Sequence, residues 1–210
     1  MKPSDLSPLF VGLQNILRNY NGQIEGNLVC DIAADYYTID RNLDKIRNLQ
    51  YLCKNKKRIC EIGVNACHSL LLMILQNPFA EYYLFDLNNH PYTEPCLQYV
   101  RDCFPNTKIV TIYGNSMETL PMFCSNHSSE MFDLCHLDGG HTTDVFTSDY
   151  DCMQSLMVPN APIIFDDYDL PEIKSFIDQK KTDGHIVDRC ERDIGLIKTV
   201  YHFIYSHVNP

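Results

Sequence analysis

Arg58-Ile59-Cys60-Glu61-Ile62-Gly63-Val64-Asn65-Ala66-Cys67-His68-Ser69 reads as a strand, a turn and the opening of a helix. Gly63 falls immediately past the apolar run, where a missing side chain lets the backbone approach a ligand before the next helix begins. The same order recurs downstream. Short runs rich in β-branched and aromatic residues occupy 58–62, 82–86, 108–113, 132–137 and 162–165, and helical spacing starts near Cys67, Tyr92, Met117, Thr142 and Pro171. Such alternation predicts βαβ units and a parallel sheet. Residues 185–190 and 196–205 then read as two strands joined by a short turn containing Asp193 and Gly195, a terminal antiparallel hairpin.

The fold class is therefore α/β, a Rossmann-like doubly wound sheet of about seven strands, mostly parallel with a C-terminal antiparallel hairpin. Helical stretches over 9–20 and 40–53, separated by a Gly- and Asn-containing segment at 21–27, precede it. We assign 1–57 to an N-terminal helical extension or lid and 58–210 to one compact sheet domain. With 45% hydrophobic and 21% charged residues, the chain has ordinary globular composition and folds by burial alone.

Seventeen Lys and Arg against 27 Asp and Glu give a net charge of -10, which repels nucleic acid and anionic lipid. The ten cysteines are scattered without a C-x-x-C pair, several in apolar runs, a pattern of reduced thiols in a cytoplasmic protein. The longest apolar run, 70–75, is far short of a membrane span, and MKPSDLSPLF has no secretory apolar region. The expected partner is a small molecule or glycan, with a homodimer compatible with the composition.

Doubly wound sheets bind ligands at the carboxyl ends of their strands, so the residues just past each strand carry the functional information. The Glu61-Ile62-Gly63-Val64-Asn65-Ala66-Cys67-His68-Ser69 segment is not a dinucleotide G-x-G-x-x-G. It resembles motif I of class I S-adenosylmethionine-dependent methyltransferases, E-x-G-x-x-x-G-x-S. The resemblance implies that Glu61, Gly63, Asn65 and Ser69 form the cofactor's methionine site, with Gly63 and Asn65 lining it and Ser69 capping the helix. Cys67 stands where the family has its second glycine.

Asp86 ends the next strand, where a carboxylate can accept hydrogen bonds from both ribose hydroxyls of a nucleoside. Tyr113-Gly114-Asn115-Ser116 resembles the family's adenine-contacting segment, which implies Asn115, at the ring edge, and Ser116 as cofactor-binding residues; a helix N-cap by Ser116 is the plainer reading, and both can hold.

Phe132-Asp133-Leu134-Cys135-His136-Leu137-Asp138-Gly139-Gly140-His141 and Ile163-Ile164-Phe165-Asp166-Asp167-Tyr168 bring Asp138, Asp166 and Asp167 to one sheet edge. Three clustered carboxylates need a cation or raised pKa values, and oxygen ligands suit Mg²⁺ or Mn²⁺. The arrangement resembles metal-dependent O-methyltransferases related to catechol O-methyltransferase and to enzymes that methylate macrolide sugars. That resemblance implies Asp138, Asp166 and Asp167 as metal ligands, Asp138 beside the cofactor, and His141 as general base. His136, inside an apolar strand, reads as a satisfied core residue. The function expected is S-adenosylmethionine-dependent O-methylation of a small-molecule or sugar hydroxyl. A catalytically inactive methyltransferase-fold scaffold is the alternative, and a nicotinamide-dependent reductase lacks its glycine fingerprint.

Overall fold

The computed structural model describes residues 8–20, 42–127 and 131–207. The segment expected at 21–27, and Cys30, lie outside them. In chain order the elements are α1 (Pro8–Leu17), α2 (Leu43–Leu52), β1 (Arg58–Ile62), α3 (His68–Gln76), β2 (Glu81–Asp86), α4 (Thr93–Cys103) and β3 (Ile109–Tyr113). They continue with α5 (Ser116–Asn126), β4 (Leu134–Leu137), α6 (Thr143–Leu156), β5 (Ile163–Phe165), α7 (Pro171–Thr182), β6 (Ile186–Asp188) and β7 (Phe203–His207). The strands form one sheet in the order β3-β2-β1-β4-β5-β7-β6. The pairings from β3 across to β5 are parallel, and β7 runs antiparallel to both β5 and β6. The strand order reverses between β1 and β4, so a crevice opens beyond their carboxyl ends.

The strands are apolar on both faces because helices cover both. Ile59, Leu84, Leu134, Ile164 and Ile204 point to a layer that includes Leu13 of α1, Ile46 and Leu49 of α2, Leu70 of α3 and Leu97 of α4. Cys60, Ile62, Phe85, Cys135, Leu137 and Phe165 point to the opposite layer, with Leu120 of α5, Tyr150 of α6 and Ile177 of α7. Each such fully buried side chain contributes about 1.5–3 kcal/mol. The same two-residue alternation puts Glu61, His136, Asp166 and His202 on the Ile59 face, beneath α2, with Glu61 and His136 side by side in the β1–β4 register.

The C-terminal hairpin is real, but its second strand begins at Phe203, not at 196. Leu196 is buried against the α1–α4 layer, and the backbone of Ile197 is held by Asn48 of α2. Those contacts take the 196–202 segment out of the sheet. The expected turn survives as Asp193 accepting from the Gly195 N–H at 3.1 Å, inside a longer connection. Among the described residues all nine cysteines are free thiols, and no helix is long and apolar enough to cross a membrane.

Candidate active site

A cleft of about 510 Å³ lies across the carboxyl ends of β1 to β5. Its floor begins with the loop after β1, where Gly63 has φ +85° and its N–H donates to the Phe85 carbonyl at 2.8 Å. Asn65 and Cys67 are also left-handed, at φ +48° and +62°. Cys67 thus keeps the conformation for which glycine is suited, at some cost in strain, and its side chain is buried in the core. It is also the residue before α3, with no side-chain cap. Ser69 is therefore not the cap expected from sequence; it sits in the first turn of α3 and lines the cleft.

Asp86 fastens this loop. Its Oδ2 accepts from the Val64 and Asn65 N–H groups at 2.7 and 3.0 Å, and its Oδ1 from Asn88 at 2.7 Å. Oδ2 is thereby filled, and Oδ1 keeps one lone pair for a further donor. Past β3, the cap of α5 is Asn115, whose Oδ1 accepts from the Met117 N–H at 3.1 Å, and not Ser116. Ser116 acts instead on the buried Asp149, whose pKa it lowers against the effect of burial. Both Asn115 and Ser116 line the cleft. Glu61 does not: it is fully buried, and its Oε1 meets His136 Nδ1 at 3.0 Å.

Asp138, His141, Asp166 and Asp167 meet at the other end of the cleft. His141 Nε2 lies 2.8 Å from Asp167 Oδ2, and that hydrogen bond raises the imidazole pKa above its ordinary value. Asp166 is saturated. Its Oδ1 lies 2.5 Å from the Lys45 ammonium and accepts from the Asp167 N–H at 2.7 Å, while its Oδ2 faces His202 Nε2 at 3.3 Å and His136 Nε2 at 3.5 Å. Burial works against an ionised Asp166, but His202 and Lys45 outweigh it and hold the carboxyl well below the usual range. Burial and the adjacent Asp166 push Asp138 the other way, well above that range. Burial alone would lower His136, yet Asp166 and Glu61 on its two nitrogens push it up to about 10.

Residues 60–168, from within β1 to just past β5, match the family model of a methyltransferase domain. The chain belongs to that family. No curated protein sequence matches it. Among solved structures it is similar to an O-methyltransferase of Bacillus cereus in complex with SAH, at 13% identity and TM-score 0.69, covering 98% of this chain and 92% of that one. It is likewise similar to the O-methyltransferase TomG of Streptomyces achromogenes, involved in tomaymycin synthesis and in complex with SAM, at 12% identity and TM-score 0.68, with coverage of 98% and 92%. At these identities the likeness is one of fold, the class I methyltransferase fold.

The methyltransferase does not assemble Asp138, Asp166 and Asp167 as an open ligand set. Lys45 and His202 already occupy the Asp166 carboxylate, so that set does not fit a divalent ion as placed. Two other groups have ligand atoms within 4.8 Å of one another, Asp138–His141–Asp167 and His136–Asp166–His202. The second shares its carboxylate with the Lys45 ammonium.

Sequence reasoning missed Lys45, His202 and the ionic role of His136 in the methyltransferase site. His136 is buried, as expected, but as the centre of a Glu61–His136–Asp166 array and not as a neutral core residue. One signal for Lys45 was available. It precedes Asn48 and Leu49 by three and four residues, which puts it on the buried stripe of α2.

Proposed function

We propose that this methyltransferase transfers the methyl group of S-adenosylmethionine to a hydroxyl of a small molecule or sugar. One observation carries the reading: in a member of the methyltransferase family, Gly63, Asn65, Asp86, Asn115 and Asp138, from the ends of four strands, line a single cleft. The adenine belongs against Asn115 and Ser116, the ribose against Oδ1 of Asp86, and the methionine part over Gly63, Asn65 and Ser69. The sulfonium methyl then points to the edge formed by Asp138, His141 and Asp167. O-methyltransferases with SAM or SAH bound are similar in fold, which supports the same cofactor here.

The chemistry follows from His141. With its Nε2–H donating to Asp167 Oδ2, the neutral ring leaves Nδ1 as the acceptor for the proton of the attacking hydroxyl. The oxygen attacks the methyl carbon in line, the carbon–sulfur bond breaks, and S-adenosylhomocysteine leaves with its electron pair. The proton rests on His141, whose raised pKa suits it to take one. Asp167 holds the ring in that tautomer and orientation. The net charge of -10 favours a neutral or cationic acceptor over a polyanion.

A Mg²⁺ or Mn²⁺ ion on Asp138, Asp167 and His141 is the second reading, favoured by their ligand atoms lying within 4.8 Å of one another. Such an ion would lower the pKa of a bound hydroxyl. It would also occupy the imidazole that otherwise takes the proton.

Calorimetric titration of S-adenosylmethionine tests the cofactor, and a labelled-methyl screen over sugar and phenolic hydroxyls tests the transfer. Micromolar binding that Asp86→Ala weakens is expected. On any acceptor found, His141→Ala should slow transfer about 10²–10⁴-fold while leaving cofactor binding in place. A protein that binds no S-adenosylmethionine sinks the proposal.

A further inference from the structure

Four carboxylates, Glu61, Asp138, Asp166 and Asp167, converge on the ends of β1, β4 and β5, and a site of that charge requires compensation from within the protein or from an ion. The fold supplies it from α2. Lys45 descends from that helix between the sheet edge and the cleft, its side chain 12% exposed, with its ammonium 2.5 Å from Asp166 Oδ1. The charges of Asp166, Asp138 and Asp167 all act on it, and together they outweigh burial and raise its pKa. His136, flanked by Glu61 and Asp166, balances the deeper side of the same cluster.

We propose that the Lys45 ammonium is the resident cation of this acidic site, taking the place that a divalent ion would otherwise fill and fixing Asp166 through a direct ion pair. The assignment rests on the methyl-transfer reading only for its chemical consequence, which is a reaction that runs without a dissociable metal. The ion pair itself is independent of that reading. An ammonium on a four-carbon stem occupies one fixed point and cannot leave, so a dication entering beside it meets like charge at short range. Lys45 is a positioning residue in this account, and it makes α2 a structural part of the site.

The test is Mn²⁺ binding, followed by calorimetry and by the paramagnetic resonance of the free ion, on wild type, Lys45→Ala, Lys45→Met and the charge-neutral pair Lys45→Met/Asp166→Asn. Wild type should show no Mn²⁺ site tighter than millimolar. Lys45→Ala should bind Mn²⁺ at least about tenfold more tightly, with methylamine competing for the vacated place. A structural lysine with no electrostatic role would not produce that gain. Lys45→Met should lower the thermal midpoint, and adding Asp166→Asn should recover most of it and abolish the Mn²⁺ gain. Micromolar Mn²⁺ binding by wild type that Asp138→Asn removes would overturn the proposal, and so would a Lys45→Ala protein that binds Mn²⁺ no better than wild type. S-adenosylmethionine titration of the same proteins separates the two ideas: retained cofactor binding with a failed Mn²⁺ result rejects the role of Lys45 alone.

Discussion

Gly63 lies so close to Asp138 that a β-carbon built on it would overlap the Asp138 backbone carbonyl. The contact joins the ends of β1 and β4 at the strand-order reversal, beneath the cleft. Gly63 also has φ +85°, where an L side chain is strained whatever the space. Gly63→Ala must therefore push apart the cofactor loop and the strand end that carries Asp138. We expect a loss of about 2–4 kcal/mol in urea unfolding and cofactor affinity reduced at least about tenfold, since strain and overpacking act together. A Gly63→Ala protein with wild-type stability and affinity would contradict the observed packing.

Cys67 presents the opposite case, a side chain kept where the left-handed backbone favours glycine. Cys67→Gly relieves strain of about 1 kcal/mol but empties a fully buried position, so the two effects nearly cancel. Cys67→Val adds a β-branched group at φ +62° and has no such compensation. Thermal unfolding should place the glycine variant within about 1 kcal/mol of wild type and the valine variant at least about 2 kcal/mol below it. The reverse order would mean that packing alone governs this position.

The strands were legible because parallel strands covered on both faces leave uninterrupted apolar runs, and because a glycine or a polar residue stands at or just past their carboxyl ends. Gly63, Asp86, Asn115 and Asp138 were found that way, and all line the cleft. Glu61 was misplaced because sequence order does not show which face a strand residue takes. Two-residue alternation with Ile59 sends it under α2 instead of into the cleft. The commitment of Asp166 was invisible for a different reason. Its partners Lys45 and His202 lie 121 and 36 positions away and meet it only through the stacking of α2 on the sheet and the β5–β7 pairing. The caps expected at Ser69 and Ser116 fall two and one positions earlier, at Cys67 and Asn115, a shift decided by the backbone dihedrals there.

Asn48 links α2 to the chain just before β7. Its side chain donates to the Ile197 carbonyl at 2.7 Å and accepts from the Ile197 N–H at 2.8 Å, replacing the partners a strand would have given that residue. The side chain is fully buried. Asn48→Ala orphans both backbone groups and should cost about 2–4 kcal/mol, whereas Asn48→Asp loses the donor and adds a buried charge and should cost more. Hydrogen exchange of the Ile197 amide offers a local check: its protection should fall in both variants before that of β1 amides changes.

Two buried groups give stability slopes of opposite sign in acid. Burial lowers His68 to about 4, with neither ring nitrogen hydrogen-bonded, and the same effect pushes Asp149 up to about 6 against the opposing effect of Ser116. For His68 the folded pKa lies below the unfolded value of about 6.5, so the unfolded chain binds more protons between about 4 and 6.5. Its contribution is complete above about 6.5 and is lost as pH falls toward 4. For Asp149 the folded pKa lies above the unfolded value of about 3.9, so the native state holds the extra proton. That contribution is complete below about 3.9 and is lost as pH rises through 6. Each shift of about two units corresponds to about 3 kcal/mol, and in the wild type they offset one another between about pH 4 and 6. Asp149→Asn should therefore steepen acid destabilisation and raise stability at pH 7. His68→Leu should remove acid sensitivity and leave stability falling as pH rises over the same window. Urea unfolding at pH 4.5, 5.5 and 7 measures both differences against wild type. Parallel profiles for the three proteins would show that neither group changes its proton affinity on folding.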